Sequence, residues 1–310
     1  MPLPIVHHPD YDAQFPAHHR FPMDKYRLLM EALRKRGLVD ADNLHLPEPI
    51  GADLLSLSHD PAYVEQVLSQ AVSPQIEREI GFPVGERVAR RAHLAASGTL
   101  LAARLALKHG LACNTAGGSH HARRAQGAGF CTFNDVGVAA SALVAERAVR
   151  RALVIDLDVH QGDGTADIFA GEPRVFTFSM HAANNYPTRK IASDLDVELP
   201  DALGDENYLE RLDRILPLFA DYARPDIVFY NAGVDPHRDD RLGKLALSDE
   251  GLRQRDRMVI GHFRGLGIPV CGVIGGGYST DVPALAERHA ILFEVATERA
   301  RAETEPELTA

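Results

Sequence analysis

The 310-residue sequence predicts one α/β domain with a central, mainly parallel sheet and helices on both faces. Short apolar runs rich in β-branched residues alternate with long stretches of helical spacing, the pattern of strand–helix–strand units. Several of these runs are apolar at consecutive positions, so both faces need cover, as for strands inside a parallel sheet. Chemistry-bearing residues gather just after the runs, where open α/β sheets bind ligands.

In chain order the strands read "PIVHH" (4–8), "LACNT" (111–115), "ALVIDLD" (152–158), "VFTFSM" (175–180), "DIVFYNAG" (226–233) and "IPVCGVIGG" (268–276). Helix-like spacing occupies the segments near 22–36, 85–109, 133–149, 205–223, 248–265 and 281–295. "SDE" at 248–250 has the form of an N-terminal cap followed by acidic first-turn residues. No repeat, composition shift or Gly/Ser linker divides the chain, which places one domain over 1–298 and a polar, fraying tail over 299–310.

The gross numbers exclude several partners. With 43 acidic against 33 basic residues the net charge is −10, and no basic segment is concentrated enough to follow a phosphate backbone, so nucleic acid is not a direct ligand. Cys113, Cys131 and Cys271 lie far apart with no Cys-x-x-Cys spacing; they form neither a disulfide framework nor a thiolate metal cage, which suits a reducing compartment. The opening "MPLPIVHHPD" lacks the order of a signal peptide, and no stretch approaches the roughly 18 apolar residues of a membrane span. A soluble, cytoplasmic protein is expected.

"VIDLDVHQGDGT" (154–165) ends an apolar run with Asp156, Asp158, His160 and Asp163. Asp156, Asp158 and His160 alternate with Leu157 and Val159, so they share one side if the strand continues. A calcium loop of the EF-hand type fails, because Gln161 stands where its glycine is needed and a strand precedes it. A solvated turn accounts for any one of these residues, but poorly for the set together with Asp235, which follows "DIVFYNAGV". Mixed oxygen and nitrogen donors of the Asp/His/Asp kind suit Zn²⁺ or Fe²⁺ and leave coordination positions open. "GGSHHA" adds His120 and His121, for which Asp156 and Asp163, if they are not both metal ligands, are natural carboxylate partners. "GGGY" (275–278) reads as a loop that brings Tyr278 to a developing oxyanion; one such donor is typically worth about 10²–10³ in rate.

"GGSHHA", "GFCTFNDV", "IDLDVHQGDGT", "YNAGVDPHRDDRLG" and "GGGY", in this order, resemble the zinc-dependent histone deacetylase family with its arginase-like fold. The resemblance covers nearly the whole chain, and "HRFPMDKY" (19–26) and "FSMHAANNYPTRK" (178–190) look closest to the class IV branch and its bacterial relatives. It implies that Asp158, His160 and Asp235 hold zinc and that His121, backed by Asp163, is the general base. It further implies that His120, backed by Asp156, is an electrostatic partner and that Tyr278 polarises the substrate carbonyl. Phe130 beside Gly129 would form one wall of an acyl-lysine tunnel and Tyr186 the facing wall. Gly276 would also lie on the substrate side, and Leu242, seven residues past Asp235, at the mouth. A structural potassium is implied at Asp156, Asp158, His160, Ser179 and Met180, mostly through backbone carbonyls. Gln161 departs from the many relatives with a second histidine there, but it is not a ligand position.

The implied substrate is an acyl-lysine protein or peptide, with an acetylpolyamine or another small N-acyl amine as the alternative. Leu242 offers no carboxylate for a distant ammonium, which favours acyl-lysine. A two-manganese hydrolase of the arginase type would need Asp-x-His-x-Asp and a second Asp-x-Asp; here the order is Asp156-x-Asp158-x-His160, and His237 follows Asp235. An acyl-lysine-binding pseudoenzyme is the non-enzymatic reading, and the presence of every expected group argues against it.

Overall fold

Eight strands pair side by side in one sheet of order β2-β1-β3-β8-β7-β4-β5-β6, and every pairing is parallel. They are β1 (Ile5–Val6), β2 (Leu44–His45), β3 (Leu111–Asn114), β4 (Ala152–Asp156), β5 (Val175–Ala182), β6 (Leu195–Leu199), β7 (Ile227–Asn231) and β8 (Val270–Val273). The computed structural model describes residues 2–16 and 19–304. The central strands "ALVID" and "IVFYN" are buried at every position. Leu153 and Ile155 face one apolar core while Val154 faces another, so both sides of the sheet are covered, as their continuous apolar character requires.

The six expected strands are present, and β2 and β6 were not legible. Both lie at the sheet's edges; β2 has two residues, and β6, "LDVEL", interleaves acids with apolar residues and stays partly exposed. The expected helices correspond to α1 (Lys25–Lys35), α5 (Glu86–His109), α6 (Asp135–Ala145), α10 (Asp249–Gly265) and α11 (Val282–Thr304). The segment 205–223 forms two helices, α8 (Asp205–Ile215) and α9 (Leu218–Tyr222), separated at Leu216–Pro217, where proline lacks the N–H that continuation needs. Four short helices went unread: α2 (Ala52–Leu55), α3 (Pro61–Leu68), α4 (Pro74–Ile80) and α7 (Asp163–Phe169).

The polar segment 299–304, expected to fray, is helical. Glu303 there binds the guanidinium groups of Arg264 and Arg299, which ties the last turns of α11 to the end of α10. Residues 305–310 of the expected tail lie outside the described residues. The three cysteines are buried and free, and among the described residues no helix is long and apolar enough to cross a membrane.

Candidate active site

β4 and β7 are neighbours at the middle of the sheet, and the loops leaving them carry the polar residues inward. β4 stops at Asp156, so Asp156, Asp158 and His160 do not project to one side as an extended strand would require. The chain turns instead: the Asp158 N–H donates to Asp156 Oδ1 at 3.1 Å and the His160 N–H to Asp158 Oδ1 at 3.0 Å. The turn separates the three residues into two jobs. Asp156 goes to His120, while Asp158 and His160 meet Asp235.

Asp158, His160 and Asp235 are all buried, and their ligand atoms lie within 4.8 Å of one another. Among the described residues no other group of three or more His, Cys, Asp or Glu side chains converges in this way. His160 Nδ1 stands 3.0 Å from Asp158 Oδ1 and 3.1 Å from Asp235 Oδ2. Burial and the Asp158 charge push Asp235 up to about 7. Burial also disfavours ionised Asp158, yet His120 and His160 hold it well below the usual carboxylate range. Two carboxylates forced together out of water repel unless a cation lies between them. The donor set therefore fits a divalent cation: two oxygens and one imidazole nitrogen, with room on the pocket side.

The two adjacent histidines have opposite electrostatics. His120 Nδ1–H donates to Asp156 Oδ2 at 2.6 Å, and Asn231 Nδ2 donates to the same carboxylate at 2.9 Å. Burial opposes protonation of His120, but Asp156 and Asp158 outweigh it and raise the pKa to about 9. His121 Nδ1–H donates to Asp163 Oδ1 at 2.7 Å. Burial and the neighbouring His120 charge lower its pKa to about 4, against the pull of Asp163. Asp163 is shared with Arg123, whose guanidinium donates to Oδ2 at 2.7 and 3.1 Å, so only part of its charge acts on His121. These shifts favour the imidazolium at His120 and the neutral ring at His121, whose Nε2 is free of Asp163.

His121, His160 and Tyr278 line a cavity of about 370 Å³, together with Gly129, Phe130, Tyr186 and Leu242. Gly129 (φ +51°) and Phe130 (φ +66°) both occupy left-handed backbone. A Cβ on Gly129 would stand 2.6 Å from His121 Cδ2, so the His121 ring itself demands glycine there. The Gly129 and Phe130 N–H groups donate to Glu79 O and Ile80 O at 2.9 and 2.7 Å, so the end of α4 sets the Phe130 wall. Tyr186, 40% exposed, meets His121 edge-on with ring centroids 4.7 Å apart.

Gly276 does not line this cavity. It borders a smaller inner one, and its N–H donates to Asp158 Oδ2 at 2.7 Å, so it supports that carboxylate. Ser179 and Met180 are buried on β5, with Ser179 in register with Asp156. Ser179 Oγ pairs with His181 Nδ1 at 2.9 Å.

Three supporting residues escaped the sequence reading. Lys25 is 1% exposed, and its Nζ donates to Gly275 O at 3.1 Å. Arg255, fully buried, donates to the carbonyls of Gly233 (2.6 Å), Ala232 (3.3 Å) and Leu157 (3.3 Å), pinning the loops that carry Asp158 and Asp235. Asp240 accepts the Tyr278 N–H at 2.6 Å. Asp240 lay inside the quoted "YNAGVDPHRDDRLG"; Lys25 stood in "HRFPMDKY"; nothing in the spacing of Arg255 distinguished it.

A family model described as histone deacetylase domain matches residues 19–293. The chain belongs to the histone deacetylase family. Among its relatives is an uncharacterized protein of Picosynechococcus sp., 46% identical over 96% of this chain and 99% of that one. Histone deacetylase 2 of Arabidopsis thaliana is 30% identical over 88% of this chain and 74% of its own length. The crystal structure of an HDAC homolog from Aquifex aeolicus superposes with a TM-score of 0.81 at 26% identity, covering 96% of this chain and 84% of that one. The arginase-like α/β fold expected from the motifs is the fold observed, and membership makes this chain a hydrolase of the deacetylase kind.

Proposed function

We propose that the chain is a zinc-dependent deacylase that hydrolyses the amide of an N-acyl-lysine. The observation that carries this reading is the buried Asp158–His160–Asp235 cluster standing beside a neutral His121 at the floor of one cavity. Zinc held by these three side chains, with Fe²⁺ as the other ion the donors suit, would supply Lewis acidity to a carbonyl and to water. His121 takes a proton from the attacking water and returns one to the departing amine nitrogen, a task its low pKa leaves it free to start. His120 keeps its charge and stabilises the negative charge that develops nearby. Burial, followed by the Asp158 charge, pushes the Tyr278 phenol well above its ordinary value, so its hydroxyl stays a donor and can bond the carbonyl oxygen. Phe130 and Tyr186, which both line the cavity, would be the walls for an aliphatic chain, with Leu242 at the mouth. A structural K⁺ at Asp156, Asp158, His160, Ser179 and Met180 belongs to the same proposal. A small N-acyl amine is the alternative substrate.

Metal analysis of the purified protein tests the reading. About one zinc per chain is expected, with turnover of an acetyl-lysine peptide that chelators abolish. Asp235→Ala should lose both metal and turnover while keeping its secondary structure, since β7 is apolar up to Asn231. Full metal occupancy in that variant would show that the ligand set is wrong.

A further inference from the structure

The cavity's floor carries the reacting groups, and its mouth carries charge of the opposite sign to the protein as a whole. Arg20, Arg78 and Lys244 line it, with Glu79 the one carboxylate among its lining residues, in a chain whose net charge is −10. The three cations come from separate segments, each fixed to the pocket wall. Arg78 is in the last turn of α4, whose Glu79 and Ile80 carbonyls hold the Phe130 loop. The Lys244 N–H donates to Asn185 Oδ1 at 3.0 Å, while Asn185 Nδ2 donates to Leu242 O at 2.6 Å. The Arg20 carbonyl accepts from the Arg241 guanidinium at 2.8 Å. Among the described residues no carboxylate pairs with Arg20 or Arg78, and Lys244 reaches only Asp201, at 4.0 Å with both side chains about half exposed. Elsewhere on the surface, arginines such as Arg36, Arg174, Arg253 and Arg288 are paired with acids.

We propose that this mouth selects amides whose amine portion carries a carboxylate beside the acyl-lysine, and disfavours polycationic carriers. The inference rests on the deacylase reading, which puts the acyl group at the floor and the amine carrier at the opening. Leu242 supplies no anchor for a distant ammonium, and Glu79 is outnumbered by the three cations around it. Opposed charges at a cleft mouth raise the local concentration of a complementary substrate and repel a like-charged one. The carboxylate has two sources, an acidic residue flanking the lysine in a peptide or the free α-carboxylate of an N-acyl amino acid.

The test compares acetyl-lysine peptides flanked by Glu, Ala or Lys, Nε-acetyl-lysine with its carboxylate free or amidated, and acetylspermidine. Binding of the same compounds to the Tyr278→Phe protein is measured by calorimetry beside wild-type kcat/KM. Glu-flanked or free-carboxylate substrates should exceed their neutral counterparts by about three- to ten-fold at low ionic strength, with Lys-flanked peptides and acetylspermidine below both. The advantage should shrink as salt is raised, because charges at an open mouth are screened over about 8–10 Å. Arg78→Glu with Lys244→Glu should invert the order, and the milder Arg78→Gln with Lys244→Gln should flatten it. An advantage confined to the free amino acid assigns the small-molecule source, and one confined to flanked peptides assigns the protein source. Acetylspermidine as the best substrate, or an order that survives charge reversal, overturns the proposal. Turnover without any charge preference refutes this inference and leaves the deacylase reading intact. A charge preference in binding with no amide turned over refutes the deacylase reading and leaves the charged mouth standing.

Discussion

His120 and His121 are identical residues one position apart, both buried, and the carboxylates behind them are what make them different. His120 answers to Asp156 and Asp158 together, whereas His121 has an Asp163 already shared with Arg123. His121→Ala is therefore expected to lower turnover by about 10²–10⁴ with metal content unchanged, the usual worth of general acid–base catalysis. His120→Ala should cost less; if steady-state kinetics show the reverse, the two roles must be exchanged. Tyr278→Phe should act chiefly on kcat, because the hydroxyl matters most once charge has developed on the carbonyl oxygen. That Asp158, His160 and Asp235 converge beside both histidines was readable because metal and proton chemistry restrict which side chains serve. Lys25 was not. A lysine in an amphipathic helix reads as solvated, and only the fold shows its ammonium beneath the Gly275 carbonyl and over the Phe21, Tyr26 and Tyr278 rings. Burial, the first cause, lowers its pKa to about 8, which leaves it mostly charged at neutral pH.

The loop after β8 shows what an element contributes that no single side chain does. Gly276 brings backbone against two carboxylates at once: a Cβ there would meet Asp235 Oδ2 at 2.1 Å and Asp158 Oδ2 at 2.6 Å. Gly276→Ala should push those carboxylates apart and weaken metal binding by at least about ten-fold, as changes to groups that orient metal ligands commonly do. Competition with a chromogenic chelator measures this directly; unchanged affinity would mean that the loop yields instead of the ligands. The doubled and tripled glycines were visible in sequence, but which carbonyl or carboxylate each one approaches was not. The same distinction holds for whole elements. β4 and β7 announced themselves because a strand covered on both faces must be apolar throughout. β6 mixes Asp196 and Glu198 with its apolar residues, and its Asp196 is tied to Gln161 and the Ser193 N–H. Helix α4, only seven residues long, has too few turns to show a period, although it fixes the Phe130 wall.

Across the whole molecule the same burial that insulates the site leaves several histidines neutral far from any ligand. His59 accepts the Asn134 N–H through Nε2 at 2.9 Å and so must donate from Nδ1 to Arg123 O, also at 2.9 Å. It thereby joins the start of α6 to the segment that follows His120 and His121. Burial lowers its pKa to about 4, with backbone hydrogen bonds opposing the shift, and burial lowers His7, bonded to Thr115, to the same value. An unfolded histidine titrates near 6.5, so between about 6.5 and 4 the unfolded chain binds protons that the folded chain refuses. The contribution of each such histidine should be level in pH above 6.5 and fall below it, with roughly 2 kcal/mol lost by pH 5. Denaturant unfolding at pH 7.5, 6 and 5 checks this on wild type and on His59→Gln, whose amide can bond both neighbours without titrating. The variant should start less stable at pH 7.5, because its fit is imperfect, yet lose less between pH 7.5 and 5 than wild type does. Equal acid losses in the two proteins would show that His59 takes up its proton in the folded state, against the burial that surrounds it.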